Sequence, residues 1–164
     1  MWGFSRFALL RMDRSTWREL LVELQRRDGG WRESGAFLCA DASNNRPNVT
    51  RVVYFDDLDP ECLKGDIHIV GTAYSKLWDI CEAEDLRVVG DVHTHPGTNV
   101  AQSCIDANSP ALARAGHVAL IVPTLAAGDI EPSAVGVHLY RGDAGWLSWF
   151  NRKATIRFDV RRSL

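Results

Sequence analysis

Two of the five histidines stand one residue apart, in the stretch "DVHTHPGTNVAQSCID" that runs from Asp91 to Asp106. On an extended strand, residues i and i+2 point to the same side. His93 and His95 therefore present both imidazoles to one small volume, while Thr94 faces away. Pro96 and Gly97 stop the strand and place the pair beside a loop, where sites are usually built. Asp106 returns from that loop with a carboxylate. Two imidazoles and one carboxylate are a three-ligand set for catalytic zinc, with the fourth position left to water. Zinc draws the pKa of that water towards ~7, which makes a nucleophile available at neutral pH.

Such a nucleophile needs a base to take its proton and pass it to a leaving amine. Glu33, in "RESGAFL", is a charged residue at the mouth of an apolar strand, beside a small Gly35 that allows close backbone approach. Ser103 lies three residues before Asp106, so its hydroxyl is expected near the same metal. From there it can donate a hydrogen bond to a developing oxyanion.

The block "HTHPGTNVAQSCID", with Glu33 about sixty residues upstream, resembles the signature of the JAMM (JAB1/MPN/Mov34) metallopeptidases. That signature is His-Ser/Thr-His-Pro, six residues, Ser, two residues, Asp, with an upstream Glu in an "ES/TGG"-like strand. The resemblance covers residues from about 30 to 125, and the length suits the small stand-alone bacterial members. One position departs: Ala36 stands where the family often has a second glycine. The resemblance implies one zinc ion held by His93, His95 and Asp106, with Glu33 as general base and then acid. Ser103 would steady the tetrahedral intermediate. It implies a mixed β-sheet flanked by helices, similar to cytidine deaminases, and cleavage after the C-terminal tail of a ubiquitin-like protein or its conjugates. Related bacterial members serve anti-phage conjugation systems or sulfur-carrier pathways. Catalytically silent scaffolds in the family typically lack the metal ligands, which this chain keeps. A nucleobase deaminase needs a His/Cys-x-Glu followed by a PCxxC pair, and this chain has neither.

The elements that must position these groups are legible as patterns. "STWRELLVELQRR" repeats Trp17, Leu20, Leu21 and Leu24 at helical spacing, with Thr16 and Glu19 as an expected capping box. "ESGAFLCA", "VTRVVYF", "DIHIV", "LRVVGDVHT" and "HVALIVPT" read as strands, and "AVGVHLYRG" and "ATIRFDVR" as two late ones. "TAYSKLWDICEAED" is expected to be a helix with Tyr74, Leu77, Trp78 and Cys81 on one stripe, "SPALARAG" a short helix, and the N-terminal stretch through Arg14 a strand rather than a signal peptide. Interleaved strands and helices, often strand after strand, indicate an α/β fold with a mixed sheet, in one domain over residues 1–164.

Hydrophobic residues at 46% and charged residues at 24% indicate a soluble globular chain. A net charge of −2 makes no electrostatic case for nucleic acid, and no apolar run approaches the ~18 residues of a membrane span. The four cysteines form no CxxC pair. Buried free thiols in a cytoplasmic protein are the expectation, with Cys104 an inert small hydrophobe. His68, His117 and His138 read as ordinary strand positions, and Asp91 as either an imidazole's partner or a solvated neighbour. Trp146, Trp149 and Phe150 suit a core or a protein-binding surface, and "DDLDPE" a solvated acidic loop.

Overall fold

The apolar runs and helical stripes assemble as an α/β fold in the computed structural model, which describes residues 7–162. In chain order the elements are β1 (Leu10–Asp13), α1 (Arg14–Arg26), β2 (Gly35–Asp41), β3 (Arg51–Tyr54), the one-turn α2 (Phe55–Leu58), α3 (Gly71–Ala83) and β4 (Leu86–Thr94). They continue with α4 (Cys104–Asn108), β5 (Val118–Val122), β6 (Gly136–Tyr140), β7 (Trp146–Trp149), α5 (Arg152–Arg157) and β8 (Phe158–Arg161). Six strands form one mixed sheet in the order β3-β2-β4-β5-β6-β7. β4 and β5 run parallel, and the other neighbouring pairs are antiparallel. β1 and β8 form a separate parallel ribbon.

Helices bury both faces of this sheet, and the alternation along β2 divides the core. Ala36, Leu38 and Ala40 join Trp17, Leu20, Leu21 and Leu24, the expected stripe of α1. Phe37 and Cys39 point the other way, onto Ala73, Leu77 and Cys81 of α3. Trp78 departs from its expected stripe and is exposed, while Ala73 takes the buried place one turn before Leu77. His93 and Asp91 of β4 pair across to Gly35 and Phe37, so both lie on the α3 face. The site opens on that face.

Several expected elements differ. The helix begins at Arg14 because β1 runs straight into it. Its N-cap Asp13 makes no side-chain cap bond, and Thr16 and Glu19 form no capping box. "DIHIV" forms no strand among the described residues: Ile67 and Ile69 pack on the α3-side core, and His68 is exposed at the cavity edge. "SPALARAG" makes turns rather than a helix, with bonds such as His117 N–H to Arg114 O and Gly116 at φ +95°. "ATIRFDVR" splits into the end of α5 and strand β8, which pairs with β1 outside the main sheet. Within "GWLSWF", the residues Trp146–Trp149 form the edge strand β7. "DDLDPE" is no free acidic loop, because Asp56 and Asp57 both bind the buried Arg27 guanidinium, which also stacks on Tyr54. At the N-terminus the strand is Leu10–Asp13, and the first six residues of the stretch lie outside the described ones. All four cysteines are free; Cys39, Cys62 and Cys81 are buried as expected, whereas Cys104 is exposed because it opens the short surface helix α4. Among the described residues no helix is long and apolar enough to cross a membrane.

At Gly35 two backbones that carry the site approach closely. A β-carbon there would meet the Phe55 ring and lie 2.6 Å from Val92 O. Backbone cannot yield as a side chain tip can, so Gly35→Ala should cost about 1–3 kcal/mol of stability and push the Glu33 strand off β4. A thermal melt of the variant, lower than the parent by several degrees, checks this.

Candidate metal centre

β4 delivers His93 on its last turn of pleat, and His95 follows just past its end, where His95 N–H donates to Val122 O of β5. Both parallel strands end here, which is where open α/β sheets leave room for ligands. Asp106 comes from α4 rather than from a bare loop. Ser103 is the N-cap of that helix: its Oγ accepts from Asp106 N–H at 3.1 Å, and Asp106 Oδ2 accepts from Ser103 N–H at 2.8 Å. The Ser-x-x-Asp spacing is thus a capping box that aims the carboxylate.

The three groups meet. His93 Nε2 lies 3.2 Å from His95 Nε2 and 3.4 Å from Asp106 Oδ1, and His95 Nε2 lies 3.3 Å from Asp106 Oδ2. A tetrahedral ion with bonds of about 2.0–2.1 Å sets its ligand atoms about 3.3–3.4 Å apart. Donor set and spacing both fit a zinc-like divalent ion, and this is the group of His, Cys, Asp and Glu residues among those described that can hold one. His95 is already in the right tautomer. Its Nδ1–H donates to Asn99 O at 2.9 Å, which frees Nε2.

Glu33 precedes β2, and its neighbour Ser34 is pinned to Thr94 by two bonds, Ser34 N–H to Thr94 Oγ1 and Thr94 N–H to Ser34 O, each 3.0 Å. Its carboxylate feels His93, His95 and Asp106, and lines the same cavity of about 660 Å³. Burial pushes the Glu33 carboxyl above its ordinary value, against the pull of the two imidazoles. Ser103 lines the cavity as well. All five residues expected from the sequence are therefore brought together. Phe55, Ile67, Ile69 and Tyr74 give the cavity an apolar part of its lining.

The loop between His95 and Ser103 is held from three sides: by Asn99 O, by Val100 O accepting from His138 Nε2–H at 2.9 Å, and by Thr124 N–H on Gly97 O. His138 is buried with Ser148 Oγ on its other nitrogen at 2.7 Å, so its strand position is structural as expected and also tethers this loop. Trp146 braces α4 through a bond from Nε1–H to Ala107 O. Trp149 lies under Arg157 and Phe150 meets His138 edge-on, so the three aromatics form no common surface. Sequence reasoning missed His117 and left Asp91 open. Both are buried, and His117 Nε2–H donates to Asp91 Oδ1 at 2.5 Å. A charged type inside an apolar strand was the available signal for Asp91. His117, 26 residues away, carried none.

Without metal, burial opposes charge on His93, but the Asp106 and Asp91 carboxylates outweigh it and raise its pKa to about 9. Asp106 is itself held well below the carboxylate range: burial opposes this, and the bonds from both imidazoles and Ser103 overcome it. The folded chain then binds more protons than the unfolded one between the ordinary histidine value of ~6.5 and about 9. Stability carried by this pair is full between the ordinary carboxylate value of ~3.9 and ~6.5; it falls as pH rises through about 9, and falls again in acid as Asp106 is protonated. Melting temperatures of chelator-treated protein should decline across that window, and zinc-loaded protein should not show the same decline.

No family model matches the chain. Its fold is similar to solved structures of low sequence identity. Protein DSY2949 from Desulfitobacterium hafniense aligns at 16% identity with a TM-score of 0.64, over 94% of each chain. A protein from Salinibacter ruber aligns at 15% with a TM-score of 0.60, over 94% of this chain and 92% of that one. AF2198, a JAB1/MPN domain protein from Archaeoglobus fulgidus, aligns at 15% identity with a TM-score of 0.44, over 88% of this chain and 90% of that one. The first two likenesses show a shared α/β fold.

Proposed function

We propose that the chain is a zinc-dependent peptidase or isopeptidase of the JAMM kind, cutting after the C-terminal tail of a ubiquitin-like protein. The observation that carries this reading is the His93–His95–Asp106 triangle at tetrahedral spacing, with Glu33 on the wall of the same cavity. When bound, zinc supplies Lewis acidity, bringing the pKa of water in its open position towards ~7 and polarising a carbonyl.

The chain's own groups do the rest. Glu33 accepts the proton of the attacking water, and burial holds its carboxyl above the ordinary value, which makes it a stronger base. Ser103 Oγ already accepts from Asp106 N–H, so its own proton is free to point at the carbonyl oxygen as that oxygen gains charge. As the amide C–N bond breaks, Glu33 returns the proton to the leaving amine. The apolar residues that line the cavity, Phe55, Ile67, Ile69 and Tyr74, offer contact to the substrate chain.

Intact-mass analysis of a panel of ubiquitin-like proteins bearing C-terminal extensions tests this reading. Cleavage after the modifier tail that disappears with chelator and returns with zinc is the expected result. A zinc-loaded chain that cuts no member, or a cut that persists in chelator, counts against it.

A further inference from the structure

Asp91 and His117 form a buried, hydrogen-bonded pair beside the metal triangle, and the hydrolytic steps above do not use it. Both side chains are almost wholly removed from solvent, on the α3 face of β4 and at the start of β5. Burying a carboxylate is costly unless it is paired and hydrogen-bonded. His117 Nε2–H satisfies one oxygen, Oδ1. The other, Oδ2, has His93 Nδ1 at 4.0 Å, an ion-pair distance wider than a hydrogen bond.

The two ligand histidines thus have different supports for the same need. Each must keep its proton on Nδ1 so that Nε2 can ligate. His95 gets this from a backbone carbonyl, Asn99 O. For His93 the group on the Nδ1 side is the Asp91 carboxylate, at ion-pair distance, whose other oxygen is anchored by His117. The geometry points to Asp91 as the positioning residue for His93, held in place by His117, so that the His117–Asp91–His93 chain sets how tightly the centre binds its metal. The inference rests on the proposed metal centre and extends it to two residues that touch neither metal nor substrate. An imidazole backed by a carboxylate keeps its tautomer and gains basicity, and loss of such a partner costs roughly 10–100-fold in metal affinity.

Asp91→Asn keeps the shape and the bond from His117 but turns an N–H group towards His93 Nδ1. Zinc affinity measured by competition with a chromophoric chelator should fall about 10–100-fold, while the metal-free variant still melts cooperatively. In the zinc-loaded parent, the imidazole ¹⁵N shifts should show His93 protonated at Nδ1 and ligated through Nε2. This second measurement does not depend on the variant folding. A parent chain with full zinc and an Asp91→Asn variant within twofold of its affinity overturns this inference alone, as does ligation of His93 through Nδ1. A parent chain that takes up no zinc overturns both this inference and the reading beneath it.

Discussion

Glu33→Gln is expected to lower turnover by about 10²–10⁴-fold, the usual contribution of a positioned acid–base group, while zinc content stays at the parent level. Glutamine keeps the size and the polar tip of the side chain but cannot take a proton. Glu33 is outside the His93–His95–Asp106 group, so the metal has no reason to leave. The strand that carries it is fixed by the two Ser34–Thr94 bonds and the close approach at Gly35, neither of which the substitution touches. Steady-state cleavage with metal analysis on the same sample checks both halves. Loss of zinc together with loss of activity would make Glu33 a ligand rather than a base.

The second large effect concerns the metal itself. His95→Ala removes one of three donors, and zinc affinity should fall by more than the roughly 10–100-fold that follows loss of a mere supporting group. Binding to the folded state adds stability by mass action, about 4 kcal/mol when free metal stands at ~1,000 times its dissociation constant. At about 2–4 °C per kcal/mol for a chain of this size, zinc should raise the melting temperature of the parent by roughly 10 °C. The shift in His95→Ala should be less than half as large, because even a ~100-fold loss of affinity leaves only about 1.4 kcal/mol of that stabilisation. An equal shift in both proteins would place the metal elsewhere.

Much of this site could be read from residue types and spacing. The i, i+2 rule put His93 and His95 on one side of β4, and Gly35 announced a close backbone approach that brings Glu33 opposite them. The helical stripe of α1 and the apolar run of β5 are local patterns, and both formed as expected. What could not be read depends on distant partners. "DIHIV" has strand propensity, yet among the described residues it pairs with no strand and lies beside the cavity. The helix under Asp106 is too short to show a period, although its Ser103–Asp106 spacing was a capping box all along. The Asp91–His117 pair joins neighbouring parallel strands through a crossover, and no local pattern links the two residues.

The most direct measurement is the zinc content and ligand environment of the purified chain, by elemental analysis with X-ray absorption at the zinc edge. One zinc per chain, four-coordinate with two nitrogen ligands and oxygen in the remaining positions, is the expected result. A folded chain that holds no zinc at stoichiometric supply, or that binds it through cysteine sulfur, would contradict a hydrolytic centre at His93, His95 and Asp106.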